Sequence, residues 1–215
     1  MIWLTHKIEF PDYKLATKDG ILALGGDLSS ERLTYAYKNG IFPWFSEDNP
    51  IVWYSPPERM VLFPEELKAS KSMRKLINKK EFLITENEAF EEVIYNCKNS
   101  KRNGDFGTWI TDDMENAYIN LHKLGIAKSI EVWQFTNDLK TEKRLVGGLY
   151  GVEIDTIFCG ESMFSKVSNT SKLAFIYLVK NKKYKLIDCQ VYNPHLESLG
   201  AREISRNEFL AILKG

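Results

Sequence analysis

The chain has 215 residues, 44% of them hydrophobic and 27% charged, with 29 Lys and Arg against 29 Asp and Glu. That profile excludes disordered and fibrous classes and suits either one large domain or a small domain beside a medium one, with a real core. Zero net charge also argues against a dedicated duplex-binding module, so any nucleic-acid contact must be a local patch on a neutral body.

Residues 1–13 lack a basic segment followed by an apolar one, and no apolar run is long enough to span a bilayer, so neither an export signal nor a membrane segment is expected. From Phe10 to Pro57 the chain is dense in Pro, Gly and aromatics. Little regular structure is predicted there beyond one helix, capped at Ser29 or Ser30, carrying Leu33, Ala36 and Tyr37, and stopped by Gly40. The run VWYSPPERMVLFP alternates like a strand but is cut by Pro56 and Pro57, which puts a domain boundary near Pro57 and divides the chain into 1–57 and 58–215.

Next, Ser70 to Lys80 reads as an amphipathic helix with Ala69, Met73, Leu76 and Ile77 on one face. Lys68, Lys71, Lys75 and Lys79 share the other face, flanked by Arg74. A strand over 82–85 leads into a helix carrying Ala89, Phe90, Val93, Ile94 and Cys97, then a loop, KRNGDFG. Thr111 caps a helix that turns Met114, Ala117, Tyr118, Leu121 and Leu124 inward and ends at Gly125. SIEVWQF and LVGGLYGVEI form a hairpin pattern, and TIFCGESMF a third antiparallel strand. A helix over 171–182, the strand KLIDCQV and a helix over 207–213 complete an α+β pattern with helices on the faces of a mixed sheet.

The chemistry concentrates in CGESMFS and LIDCQV. Strand alternation points Glu161 and Met163 to one face and Asp188 and Gln190 to one face, with Cys189 opposite. Polar residues in otherwise apolar strands call for satisfied partners or for chemistry, and either reading is open on the residues alone. Covalent and metal mechanisms find no support: there is no GxSxG elbow, and His6, His122 and His195 show no metal-ligand spacing and read as surface or capping residues. Cys97, Cys159 and Cys189 contain no CxxC pair, which fits a reducing cytoplasm rather than a disulfide framework or zinc site. No phosphate-binding glycine loop occurs, so a substrate that arrives already activated is expected, with no cofactor. The lysine helix is either a solvated face or a polyanion site. Trp44 and Trp109 lie in loop contexts where rings can stack on a nucleobase; for Trp53 core packing is the better reading.

The segments LALGGDLS, GIFPWFS, TWIT, GGLYGV, GESMFS, LIDCQV and SLGA occur in the order seen in the leucyl/phenylalanyl-tRNA–protein transferase family, and the resemblance runs from about Phe10 to the C-terminus. It implies a small N-terminal domain followed by an N-acetyltransferase-like (GNAT-like) mixed-sheet domain. The activity implied is transfer of Leu or Phe, less well Met, from a charged tRNA to proteins with an N-terminal Lys or Arg, marking them for degradation, by a cytoplasmic monomer. By position in these motifs, Asp188 and Gln190 resemble the family's catalytic pair and Glu161 the acidic residue of the acceptor site. Trp44 and Trp109 resemble the aromatics that contact the terminal adenosine. Leu149, Phe158, Met163, Phe175, Leu178 and Ile187 fall where the family lines its amino-acid pocket, and Lys68, Lys71, Arg74, Lys75 and Lys79 where it binds the tRNA body. Asp188 is expected to orient and polarise the Gln190 amide. VWYSPPER departs from the commoner WWSPxPR run. Two rivals stand beside this reading: an acyl-CoA N-acetyltransferase, disfavoured because the turn SKVSNTSK lacks glycine, and a non-catalytic RNA-binding module.

Overall fold

The structure, a computed structural model, describes residues 1–100 and 110–215. The loop KRNGDFG and Trp109 lie outside the described residues. In chain order the elements are β1 (Trp3–Leu4), β2 (Ile21–Gly25), α1 (Ser30–Lys38), β3 (Phe42–Pro43), β4 (Val52–Tyr54), β5 (Glu58–Leu62), α2 (Lys71–Lys79), β6 (Phe82–Glu86), α3 (Phe90–Lys98), α4 (Asp112–Lys123), β7 (Ala127–Phe135), β8 (Lys143–Ile154), β9 (Ile157–Ser165), α5 (Thr170–Asn181), β10 (Leu186–Gln190), α6 (Pro194–Glu197), β11 (Arg202–Ser205) and α7 (Arg206–Lys214).

The helices follow local chemistry. Ser29, Ser70, Thr111 and Ser205 each cap a helix with a side-chain oxygen that accepts a backbone N–H. α2 stops where Lys80 turns left-handed at φ 52, one residue short of the predicted end. Leu124, expected to face inward, is exposed, because α4 has already ended at Lys123 and the chain turns away there. Where the Pro- and Gly-rich stretch predicts little regular structure, the chain also forms β2, β3 and β4. These strands of two to five residues are too short to display alternation. Gly40 makes the exit from α1 possible: its φ is +71, and a Cβ there would come within 2.7 Å of Leu210.

β1, β2, β4 and β3 form a four-stranded sheet, and the rest form a seven-stranded sheet in the order β11-β5-β10-β9-β8-β7-β6. The run cut by Pro56 and Pro57 thus feeds two sheets. β7, β8 and β9 are antiparallel as predicted, and α5 returns the chain so that β10 adds parallel to β9, giving the expected GNAT-like α+β arrangement. α5 packs hard on the sheet because Gly147 has no Cβ to strike Thr170, whose hydroxyl donates to the Val146 carbonyl at 2.9 Å. One apolar cluster joins α1, α3, α4, α7 and the four-stranded sheet to one face of the large sheet; a second fills the other face under α2 and α5. No helix among the described residues is long and apolar enough to cross a membrane.

Candidate active site

The pairing of β9 with β10 runs only from Ile157–Leu186 to Cys159–Asp188. Beyond it the strands part, and a cleft of about 800 Å³ opens there, walled by Phe42, Pro43 and Trp44 and by Phe175 of α5. The GESMFS and LIDCQV segments meet across this gap.

Two bulges aim their polar side chains. In the β8–β9 ladder Tyr150 faces Ser162 and Gly151 faces Gly160, so Glu161 is an extra residue. Simple alternation, which puts Glu161 and Met163 on one face, is therefore wrong. Glu161 turns to Tyr37 and Tyr118, while Met163 packs on the cluster beneath α5. In β10 the pairing with β5 slips between Asp188 and Gln190, and Gln190 takes φ 64, a conformation that needs support in a residue with a Cβ. The support is Asp188, whose Oδ1 accepts the Gln190 backbone N–H at 2.9 Å. Arg59 Nε and Nη2 hold the two oxygens of the same carboxylate at 2.8 and 2.6 Å. The expectation that Asp188 acts on the Gln190 amide is corrected accordingly: the aspartate braces the backbone, and the amide Nε2 donates to Glu161 Oε1 at 2.8 Å.

Glu161 sits in a ring of oxygens. Tyr37 Oη donates to Oε1 at 2.7 Å, Tyr118 Oη to Oε2 at 3.0 Å, and the two hydroxyls lie 2.5 Å apart. Three O···O contacts call for three protons, and the tyrosines supply two, because burial and the neighbouring carboxylate keep both phenols well above their ordinary range. The third is a proton on Glu161, which lets one tyrosine hydroxyl turn to the other. Burial, opposed by the tyrosine and Gln190 hydrogen bonds, pushes the Glu161 carboxyl up to about 7.

This shift has a sign. Below pH 7 Glu161 is mostly neutral and cannot pair with a cation, so affinity of the cleft for a cationic ligand should rise between about pH 6 and 8. Glu161→Gln should abolish that rise. A pH dependence unchanged in the variant would mean that Glu161 does not meet the ligand. Because the folded pKa is raised, the stability this carboxyl contributes is present below about 4.5 and lost as pH rises through about 7.

Leu149, Phe158, Met163, Phe175 and Ile187 all line the cleft. Leu178 is buried in the cluster beneath and is not in the wall. Trp44 stands in the wall with 42% of its surface exposed, whereas Trp53 is buried and donates to the Gly25 carbonyl. Trp109 lies outside the described residues. Lys68, Lys71, Arg74, Lys75 and Lys79 are exposed on and beside α2 and none lines the cleft. His195, read from sequence as a surface or capping residue, forms part of the wall, and burial together with Lys172 lowers its pKa, leaving it neutral at pH 7. Cys159 and Cys189 are free thiols beside Asp188, and burial holds both far above the thiolate range, so neither is a nucleophile.

Arg59, Tyr37 and Tyr118 do not stand out as site residues in the sequence. A signal exists for each. Arg59 alternates with Val61 in an apolar strand, and the tyrosines fall on core-facing stripes of α1 and α4, where a hydroxyl needs a partner.

Comparison with known proteins supplies the identity. Residues 61–214 match the family model described as leucyl/phenylalanyl-tRNA protein transferase, and residues 26–57 match the model of that protein's N-terminal domain. A leucyl/phenylalanyl-tRNA–protein transferase of Flavobacterium johnsoniae is 58% identical over 217 residues, covering 100% of this chain and 99% of that one. The protein of the same name from Flavobacterium psychrophilum is 57% identical and covered end to end. The crystal structure of FemX superposes with a TM-score of 0.52 at 11% identity, over 86% of this chain and 71% of that one, a likeness of fold alone. With nearly the whole chain matched and more than half of its residues shared with these relatives, the chain belongs to the leucyl/phenylalanyl-tRNA–protein transferase family.

Proposed function

We propose that the cleft holds the aminoacyl end of Leu- or Phe-tRNA and passes the amino acid to a protein with an N-terminal Lys or Arg. As a member of its family the chain is an aminoacyltransferase. The observation that carries the finer reading is the two-sided cleft, with Met163, Phe175, Phe158, Leu149 and Ile187 offering an apolar hold for the donor side chain and Glu161 an acid for the acceptor. Gln190 lines the same cleft and donates its amide to Glu161. Trp44, exposed at the wall, is placed to stack on the terminal base, and the lysines of α2 to hold the tRNA body.

An aminoacyl ester is already activated. The acceptor amine attacks the ester carbonyl carbon, a C–N bond forms, the C–O bond to the ribose breaks, and one proton passes in net from the amine to the ribose oxygen. Positioning and stabilisation of the developing oxyanion supply the catalysis, and no ATP is consumed. We assign residues 1–57 to a small N-terminal domain that contributes the Phe42–Trp44 wall, and 58–215 to the catalytic domain. We read the enzyme as a monomer. Two free, buried thiols beside the site support a reducing compartment, the cytoplasm.

The test is incubation with radiolabelled Leu-tRNA and a peptide beginning with Arg, without ATP. Label should enter the peptide, and failure to do so would overturn the reading. Donor choice should reside in the apolar wall. One methylene changes binding by about 1–3 kcal/mol, so Val should be disfavoured incompletely and charged side chains excluded strongly. Met163→Ala should lower kcat/KM for Leu by roughly tenfold and narrow its advantage over bulkier donors. One tRNA charged with Val, Leu, Phe or Trp measures this, and an unchanged ranking would place selection elsewhere.

A further inference from the structure

Arg59 lines no part of the cleft, yet all three nitrogens of its guanidinium donate hydrogen bonds. Its side chain is 2% exposed and lies between the rings of Phe42 and Phe209, with the guanidinium carbon 4.6 Å from each centroid. Nη1 donates to the Gly40 carbonyl at 3.2 Å, while Nε and Nη2 go to both oxygens of Asp188. Burial opposes this charge, and the Asp188 carboxylate outweighs the burial. Four parts of the fold thus converge on one guanidinium: the turn after α1, the Phe42 wall, β10 and α7.

The consequence falls on Asp188. Its Oδ1 accepts from Arg59 Nε and from the Gln190 N–H, its Oδ2 accepts from Arg59 Nη2, and its side chain has no exposed surface by which an amine could reach it. A carboxylate so saturated is a strut. What it supports is the left-handed backbone of Gln190, which sends the amide across the gap to Glu161.

We propose that Arg59 is a positioning residue for the transfer: it fixes Asp188 as the acceptor of the Gln190 N–H, so that the amide stays poised over the cleft, and Asp188 takes no proton from the acceptor amine. The proposal rests on the reading of the cleft as the transfer site. It separates the hydrogen bond at Asp188 from the charge at Asp188. A neutral pair, Arg59→Gln with Asp188→Asn, keeps an oxygen for the Gln190 N–H and a side-chain contact between the two positions, and it buries no charge. Arg59→Gln alone keeps the carboxylate but strips its clamp.

The experiment compares three proteins in single-turnover transfer of Leu from tRNA to an Arg peptide: the unsubstituted chain, Arg59→Gln and the double variant, each with thermal melting, tRNA Kd and peptide KM. Arg59→Gln should slow the single-turnover rate constant by about 100-fold with Kd and KM within about threefold, whereas simple loss of folded protein lowers the amplitude and leaves the rate constant unchanged. The double variant should recover to within about tenfold of the unsubstituted rate with the same pH profile, a non-additive rescue. If Arg59→Gln does not fold, the double variant decides alone. A folded double variant that binds tRNA normally yet is as slow as Asp188→Ala would overturn the proposal, and so would a folded Arg59→Gln with the unsubstituted rate constant. Absence of transfer by the unsubstituted chain would instead count against the function itself.

Discussion

Asp188→Ala is expected to reduce transfer by two to four orders of magnitude, roughly, and to melt the protein about 10 °C earlier, whereas Gln190→Ala should lose a comparable rate with little change in melting. Sequence alone suggests an orienting role. The structure adds a stability cost, because truncating Asp188 leaves Arg59 charged, 2% exposed and without its partner. Removing one member of a buried pair typically costs about 3–5 kcal/mol, most of it the penalty on the charge left behind. Gln190 is partly exposed at the end of β10, and among the described residues its side chain bonds only to Glu161, so its loss disturbs the site and not the core. Single-turnover rates with bound Leu-tRNA, read beside thermal melts, separate the two effects. Asp188→Ala melting with the unsubstituted protein would show that the pair contributes nothing to stability, and Gln190→Ala transferring at the full rate would remove the amide from the chemistry.

The second large effect belongs to α2. Changing Lys71, Arg74 and Lys75 together to Glu should weaken tRNA binding by about 100-fold or more at low salt and flatten its salt dependence by two to three units of slope, roughly one for each phosphate no longer neutralised. All three side chains are exposed, and the helix is held by Met73 on its other face, so the fold should be unaffected. Transfer from a minimal aminoacyl-adenosine donor should change by less than about twofold, since none of the three lines the cleft. Kd measured across a salt series, beside rates with both donors, tests this. Equal losses with both donors would mean that the helix supports the site and not the tRNA.

Whatever depends on neighbours along the chain is legible in the residues alone. Caps at Ser29, Ser70 and Thr111, the apolar stripes of α2, α3 and α4, and the turn between β7 and β8 are local choices of backbone and solvent, and each is written within a few residues. The GESMFS and LIDCQV strands can likewise be picked out as the chemical centre, because acids and amides in apolar strands demand partners. Which partners they find is a tertiary matter. Arg59 meets Asp188 across 129 positions and Tyr37 meets Glu161 across 124, and no periodicity links residues that far apart. Alternation also fails where one inserted residue reverses it, sending Glu161 to the tyrosines and Met163 to the apolar wall. A bulge is selected by the strands on either side and by what a side chain can reach, so it leaves no trace in the spacing of its own strand. The cleft depends in the same way on β9 and β10 ceasing to pair after Cys159 and Asp188, a property of the sheet as a whole that lets an apolar face and an acidic face open onto one space.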